Sequence, residues 1–189
     1  MDTDEHLFER TRSGDIAAFD VLYERYEVRL FAYLRAISGN RQDAEELLHD
    51  AFLAALKAGE NGRGEAGAFC GFLYRVARNL AFNRRRAALR HDRMLSSVPD
   101  FEAEAEQARP SVGVRADTAI ERRELEAALA DAVGRLPLAL GELYHLRSSG
   151  LSYEQIAAVI EAPLGTVKSR MHQMVNVLRE ELKPWIAPQ

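Results

Sequence analysis

One cysteine in 189 residues, Cys70, leaves no partner for an internal disulfide. Lying between Phe69 and Gly71 in an apolar stretch, it reads as a small buried hydrophobe. No apolar run is long enough to cross a bilayer, and the opening MDTDEHLFER is charged and acidic where a signal peptide needs a basic start and an apolar core. The expected compartment is therefore the cytoplasm. His6, His49, His91, His145 and His172 are scattered without metal-ligand spacing, and there is no glycine-rich phosphate loop. No enzymatic activity, cofactor or metal site is expected, and His145 reads as a structural or surface residue. The chain also lacks any strand pattern or internal repeat.

With 47% hydrophobic and 29% charged residues, the chain can form one or two small domains with real cores. The richest local signal runs from Leu151 to Leu182, LSYEQIAAVIEAPLGTVKSRMHQMVNVLREEL. Ser152 can cap a helix, with Gln155 returning a hydrogen bond as in a capping box, and Ile156, Ala157 and Ile160 follow at helical spacing. Pro163 suits the first turn of a second helix, since its missing amide hydrogen has no intrahelical partner there. Leu164, Val167, Met171, Met174 and Leu178 then form one buried stripe. Thr166, Lys168, Ser169, Arg170, His172 and Gln173 are left on the outer faces. Hydroxyl, amide and cationic groups near a helix N-terminus read base edges and grip phosphate in the major groove, so this helix-turn-helix points to duplex DNA. An ordinary helical hairpin with a polar outside is the alternative.

The net charge of -4 has the wrong sign for a DNA partner until the charges are located. From Arg75 to Arg93, RVARNLAFNRRRAALRHDR sets Arg75, Arg78, Arg84, Arg85, Arg86, Arg90 and Arg93 against the single acid Asp92. Leu73, Val76, Ala77 and Leu80 repeat at helical spacing, so the arginines ride on an amphipathic helix. Such a run can be a plain solvated face, but arginine with so little acid to pair it favours nucleic acid. From Ser96 to Asp117 acids prevail and Pro99, Pro110 and Gly113 interrupt any helix, which marks a linker.

The expected fold is all-α: two small helical domains joined by a flexible acidic linker, with residues 1–95, 96–117 and 118–189 as domain, linker and domain. In the first, a helix capped by Asp15 carries Phe19, Leu22, Tyr23, Tyr26, Leu30, Phe31, Leu34 and Ile37 until Ser38, Gly39 and Asn40 break it. A second runs from about Arg41 to Lys57, apolar at Ala44, Leu47, Leu48, Ala51, Phe52 and Leu56 and acidic at Asp43, Glu45, Glu46 and Asp50. Residues 59–67, GENGRGEAG, read as a loop. In the second domain, a helix from about Thr118 to Arg135 is apolar at Leu125, Ala128, Leu129, Ala132 and Val133, and a short helix follows through Leu140, Leu143 and Leu146.

In order along the chain, AFDVLYERYEVRLFAYL, DAEELLHDAFLAAL, FLYRVARNLAFNRRR, RLP and LSYEQIAAVIEAPLGTVKSRM resemble the extracytoplasmic-function (ECF) sigma factors, the small two-domain class of bacterial sigma factors. DAEEL, YRVARNLA and GTVKSR are the most specific phrases. The resemblance implies a transcription initiation factor that binds core RNA polymerase, directs it to promoter DNA and is controlled by an anti-sigma factor. It implies polymerase binding through Asp43, Glu46, Leu47, Asp50 and Phe52. It implies minus-ten contacts from Arg78, Asn79, Asn83, Arg84, Arg85 and Arg86, and minus-thirty-five contacts from Thr166, Lys168, Ser169, Arg170, His172 and Gln173. Aromatics and arginines suit the melted strand, since bases stack on rings and guanidinium planes; Phe69 and Phe72 could serve there, though their spacing suggests core as strongly. The acidic linker would thread into the polymerase, or it is a plain tether.

Departures from the family pattern are Phe72 where tryptophan is common, Asn83 where aspartate is, and Gln173 and Val175 where further arginines stand. A recognition helix poor in charge makes fewer phosphate contacts, so the free chain should hold promoter DNA weakly. A conventional helix-turn-helix regulator, or a sigma-like chain that only binds an anti-sigma factor, are the competing readings. The first leaves the arginine helix without a role; the second predicts loss of DNA-reading residues that are present.

Overall fold

The computed structural model describes residues 2–60, 69–95 and 118–186. The loop expected at residues 59–67 starts later than its glycines suggest, since Gly59 and Glu60 still belong to a helix, and residues 61–67 and the expected linker at residues 96–117 lie outside the described residues. Every regular element among the described residues is helical: α1 Asp4–Arg12, α2 Ile16–Ser38, α3 Arg41–Glu60, α4 Phe69–Leu95, α5 Thr118–Gly134, α6 Leu138–Ser148, α7 Tyr153–Ile160, α8 Leu164–Glu181 and α9 Lys183–Ile186.

Helix α1 was not expected from the sequence. Thr3 caps it, accepting from the His6 amide at 3.3 Å, and Leu7 and Phe8 are buried. Long-range contacts hold it: Arg25 donates to Asp4 at 2.6 Å, the Tyr26 hydroxyl donates to the same carboxylate, and the Phe8 ring lies 4.8 Å from Phe69. Helix α2 begins where expected. Asp15 accepts from the Ala18 amide at 3.1 Å, and Arg10, hydrogen-bonded to Asp15 at 2.7 Å, is the main cause of its lowered carboxyl pKa. The helix ends at Gly39, whose φ of 84° is the left-handed conformation that glycine adopts without steric cost. At the start of α3, the Asn40 side-chain oxygen accepts from the Asp43 amide at 2.8 Å, as an N-cap does, and its side-chain amide donates to the Asp43 carboxylate at 2.7 Å.

Tyr26, Leu30, Leu34, Leu47, Phe52, Leu73 and Ala77 bring α2, α3 and α4 together, and Leu143, Leu146, Leu151, Ile156, Val167 and Met171 do the same for α6, α7 and α8. The two sets join into one continuous core, with α2 against α6 and α4 against α7. The expected apolar stripe of α5 is only partly used: Ala132 is buried, whereas Leu125 is exposed.

Candidate nucleic-acid and polymerase interfaces

In α7 and α8 the local chemistry works as the residues suggest. Ser152 accepts from the Gln155 amide at 3.2 Å, and the Gln155 side chain accepts from the Ser152 amide at 2.8 Å. Glu161 ends α7 in the left-handed region, with φ 54° and ψ 47°, and the chain turns through Ala162 into Pro163, the N-cap of α8. Val167, Met171 and Met174 are buried on the inner face. Lys168, Ser169, Arg170, His172 and Gln173 are exposed and Thr166 half-buried, so the six residues expected to face DNA form an outer surface over the first helical turns. Gly165 is exposed, and a Cβ built on it would meet nothing within 4 Å beyond its own helix, which leaves room for a close approach at the helix N-terminus.

Helix α4 divides its polar residues. Asn79, Asn83, Arg85 and Arg86 are exposed, whereas Arg78 and Arg84 are half-buried. Arg84 lies in a cradle of carboxylates from α3, at 3.0 Å from Asp43, 2.9 Å from Glu46 and 4.0 Å from Asp50. Three of the acids expected to face polymerase thus hold an arginine expected to face DNA. Arg78 donates through Nε to Glu142 Oε1 of α6 at 2.7 Å, with its guanidinium 4.5 Å from the Phe82 ring centre. The same Glu142 oxygen accepts from the buried Tyr33 hydroxyl at 3.1 Å. Burial raises the Tyr33 phenol well above its ordinary pKa, and the adjacent Glu142 carboxylate adds to the shift.

Other expected contact residues serve the core. Leu47 and Phe52, expected among the polymerase-facing residues, are 2% and 3% exposed and pack in the core, so they are not part of the outer surface of α3. Apolar periodicity marks the buried stripe of a helix and cannot also mark its outer face. The sequence reading missed Leu53, 53% exposed beside the acidic row of α3; an apolar residue off the core stripe was the available signal. Phe69 and Phe72 are buried, stacking around Phe8, and belong to the core. Cys70 is half-buried with its thiol pKa pushed up by burial. His145 is held below its ordinary pKa by burial; it lines a cavity of about 550 Å³ with Arg35, Leu136 and Leu138.

The sigma-70 region 2 family model matches residues 22–91. Over nearly its whole length the chain is 34% identical to the RNA polymerase sigma-H factor of Pseudomonas aeruginosa, covering 97% of this chain and 96% of that protein. It is 33% identical to the ECF RNA polymerase sigma-E factor of Haemophilus influenzae, with 96% of each covered. The chain is an ECF sigma factor. Among solved structures, CnrH in complex with the cytosolic domain of CnrY aligns with TM-score 0.64 at 22% identity, over 97% of this chain and 99% of that one. The sigma factor RpoE of Bartonella quintana, in complex with the anti-sigma factor NepR, aligns with TM-score 0.66 at 24% identity, over 87% of this chain and 97% of that one. Both show the all-helical fold.

The region 2 match spans most of α2, all of α3 and most of α4, so the carboxylate cradle and the exposed arginines of this sigma factor lie inside it. The helix-turn-helix lies outside that match and inside the full-length similarity to the relatives. Among the described residues, no helix of the sigma factor is long and apolar enough to cross a membrane.

Proposed function

We propose that this ECF sigma factor divides its work between residues 1–95 and 118–189, joined by a linker at 96–117. In the first part, Asp43, Glu46 and Asp50, together with exposed Leu53, give α3 a mixed acidic and apolar surface for core RNA polymerase. Asn79, Asn83, Arg85 and Arg86 on the outer side of α4 grip the minus-ten element and its unpaired strand. In the second part, α8 enters the major groove of the minus-thirty-five element with Thr166, Lys168, Ser169, Arg170, His172 and Gln173. The protein acts in the cytoplasm, and an anti-sigma factor holds it inactive. It is an initiation factor without catalytic chemistry of its own.

The observation that carries this reading is the presence of two separate DNA-suited surfaces, one arginine-rich and one a polar recognition face, on a chain similar to sigma factors from end to end. The sparse charge of α8 means that polymerase supplies much of the affinity. Run-off transcription with purified core polymerase on a promoter library tests the reading. Initiation from a subset of templates is expected, with no footprint by the isolated protein at moderate salt; no initiation from any template overturns it.

A further inference from the structure

We infer that the cavity between α2, α5 and α6 is a binding site for a small amphipathic monocarboxylate, an aliphatic acid of medium chain length, with its carboxylate on Arg35 and its chain along Ile37, Val133 and Leu136. Binding there is independent of promoter recognition and is measured without polymerase.

At about 550 Å³ the cavity has room for a small molecule, since ligand sites commonly enclose about 300 to 1,000 Å³. Arg35 and Ile37 from the last turn of α2, with Gly39 that ends it, form one wall; Ala130, Val133 and Gly134 at the end of α5 form another. Leu136, Leu138, Gly141, Tyr144 and His145 make up the third side. The lining is largely aliphatic. Ile37 and Leu136 are buried, but Leu138 at the start of α6 is 43% exposed, a large apolar side chain with incomplete cover. An aliphatic chain laid across these residues removes further apolar surface from water.

The charges at the wall select the sign of the ligand. Arg35 is half-buried, and its guanidinium has no carboxylate or other acceptor among the described residues, in a chain with 29 acids to 25 bases. By contrast, Arg10, Arg25, Arg78 and Arg84 all hold carboxylates. Helix α6 starts at the same cavity from Pro137, without a side-chain cap and with no acid in its first turn, so its positive end adds to the potential for an anion. Glu142 also borders the cavity. Its Oε1 already accepts from Arg78 Nε at 2.7 Å and from the Tyr33 hydroxyl at 3.1 Å, so it stands there as one half of an ion pair. Burial holds His145 below its ordinary pKa, and at neutral pH its ring lines the site as a neutral hydrogen-bonding group. One unpaired cation beside aliphatic walls suits one negative charge on an apolar body. A phosphate or a dicarboxylate would set unmatched charge against Val133 and Leu136.

Sodium decanoate is the probe. Isothermal titration calorimetry on the full chain should show one saturable site with a Kd of about 100 µM or tighter, within reach of a ligand of this size. The ring resonances of His145, identified by their loss in His145→Gln, should shift along the same curve. Arg35→Leu should bind decanoate at least about tenfold more weakly, and decanol should bind the wild type weakly by the same factor, because each change removes a charge-assisted hydrogen bond. Arg35→Lys should recover part of the affinity, and decyltrimethylammonium should not bind. Ala130→Phe, at an exposed position of α5, puts a ring into the cavity and should abolish binding with helix content unchanged. A cation in the last turn of α2 is favourable without any ligand, so Arg35→Leu is judged by affinity and not by stability. No saturable heat up to about 1 mM decanoate overturns the site, as does equal affinity in Arg35→Leu. Decanol binding as tightly as decanoate would make the cavity a plain apolar gap, and binding that survives Ala130→Phe would place decanoate elsewhere; either result refutes the assignment. If Arg35→Leu loses its helices by circular dichroism, decanol and Ala130→Phe decide.

Discussion

Helices α4 and α8 carry similar DNA-suited residues and hold them differently. On α8, Lys168 and Arg170 stand exposed on a face whose opposite side is buried through Val167, Met171 and Met174. On α4, two of the four arginines expected to meet DNA are tied to carboxylates, Arg78 to Glu142 and Arg84 to the row on α3, while Arg85 and Arg86 stay exposed. A count of arginines along the sequence therefore overstates the grip of α4. Part of that charge holds the protein to itself, and α8, sparse as it is, keeps its cations facing outward.

The sharpest test of this contrast is Arg170→Ala. A good bidentate base contact contributes about 1 to 3 kcal/mol of discrimination, so selection of the upstream element should weaken by about fivefold to 150-fold in competition transcription assays. Unchanged selection would remove Arg170 from the reading face. Its counterpart is Arg84→Ala. With its guanidinium occupied by Asp43, Glu46 and Asp50 and about a third of its side chain exposed, Arg84 should contribute less than about 1 kcal/mol to folding stability. Its loss should leave promoter selection unaltered while freeing the acids of α3. A defect in promoter opening as large as the selection defect of Arg170→Ala would mean that Arg84 leaves its cradle for DNA, and the contrast between the helices would disappear.

A third test uses pH and the half of the chain that bears α8. Burial of His145 lowers its pKa from the ordinary 6.5, so the neutral ring is favoured in the folded state. Below about pH 6.5 the unfolded chain takes up a proton that the folded chain refuses, so stability should fall progressively with pH below that value and be flat above it. His145→Gln should shrink the difference in thermal midpoint between pH 8 and pH 5.5. Identical pH profiles for both proteins would show that His145 is solvated in the folded chain.

How legible each region was in the sequence depended on how local its forces are. Residues 151–182 announce their structure because caps, proline and apolar spacing act within a few positions, and Ser152, Gln155 and Met171 do there what isolated-helix rules require. Asp15 and Gly39 bound α2 for the same reason. Helix α1 escaped because Asp4 and Phe8 find their partners on α2 and α4 rather than nearby. Glu142 escaped more completely: its partners lie 64 and 109 positions away, and along the chain it looks like any solvated glutamate of a helix. The outer face of α8 was thus readable residue by residue, whereas the division of labour among the α4 arginines exists only in the packed chain.

The smallest expected effect concerns the corner that aims α8. Among the described residues Glu161 alone has a positive φ without being glycine, at 54°. A side chain in the left-handed region costs about 1 to 2 kcal/mol, because its Cβ crowds the following carbonyl oxygen. Glu161→Gly removes that crowding but gives the unfolded chain more conformations to lose, which offsets about 0.5 to 1 kcal/mol of the gain. The net expectation is stabilisation by about 0.5 kcal/mol, or 1 to 2 °C in thermal midpoint for a chain of this length. The Glu161 amide already donates to the Ala157 carbonyl as the cap of α7, and glycine keeps that bond, so the angle between α7 and α8 should not change. Promoter selection should therefore stay as it is while stability rises. A fall in thermal midpoint would show that the Glu161 side chain contributes an interaction larger than the strain it imposes, and a change in upstream selection at unchanged stability would make this corner part of the reading face.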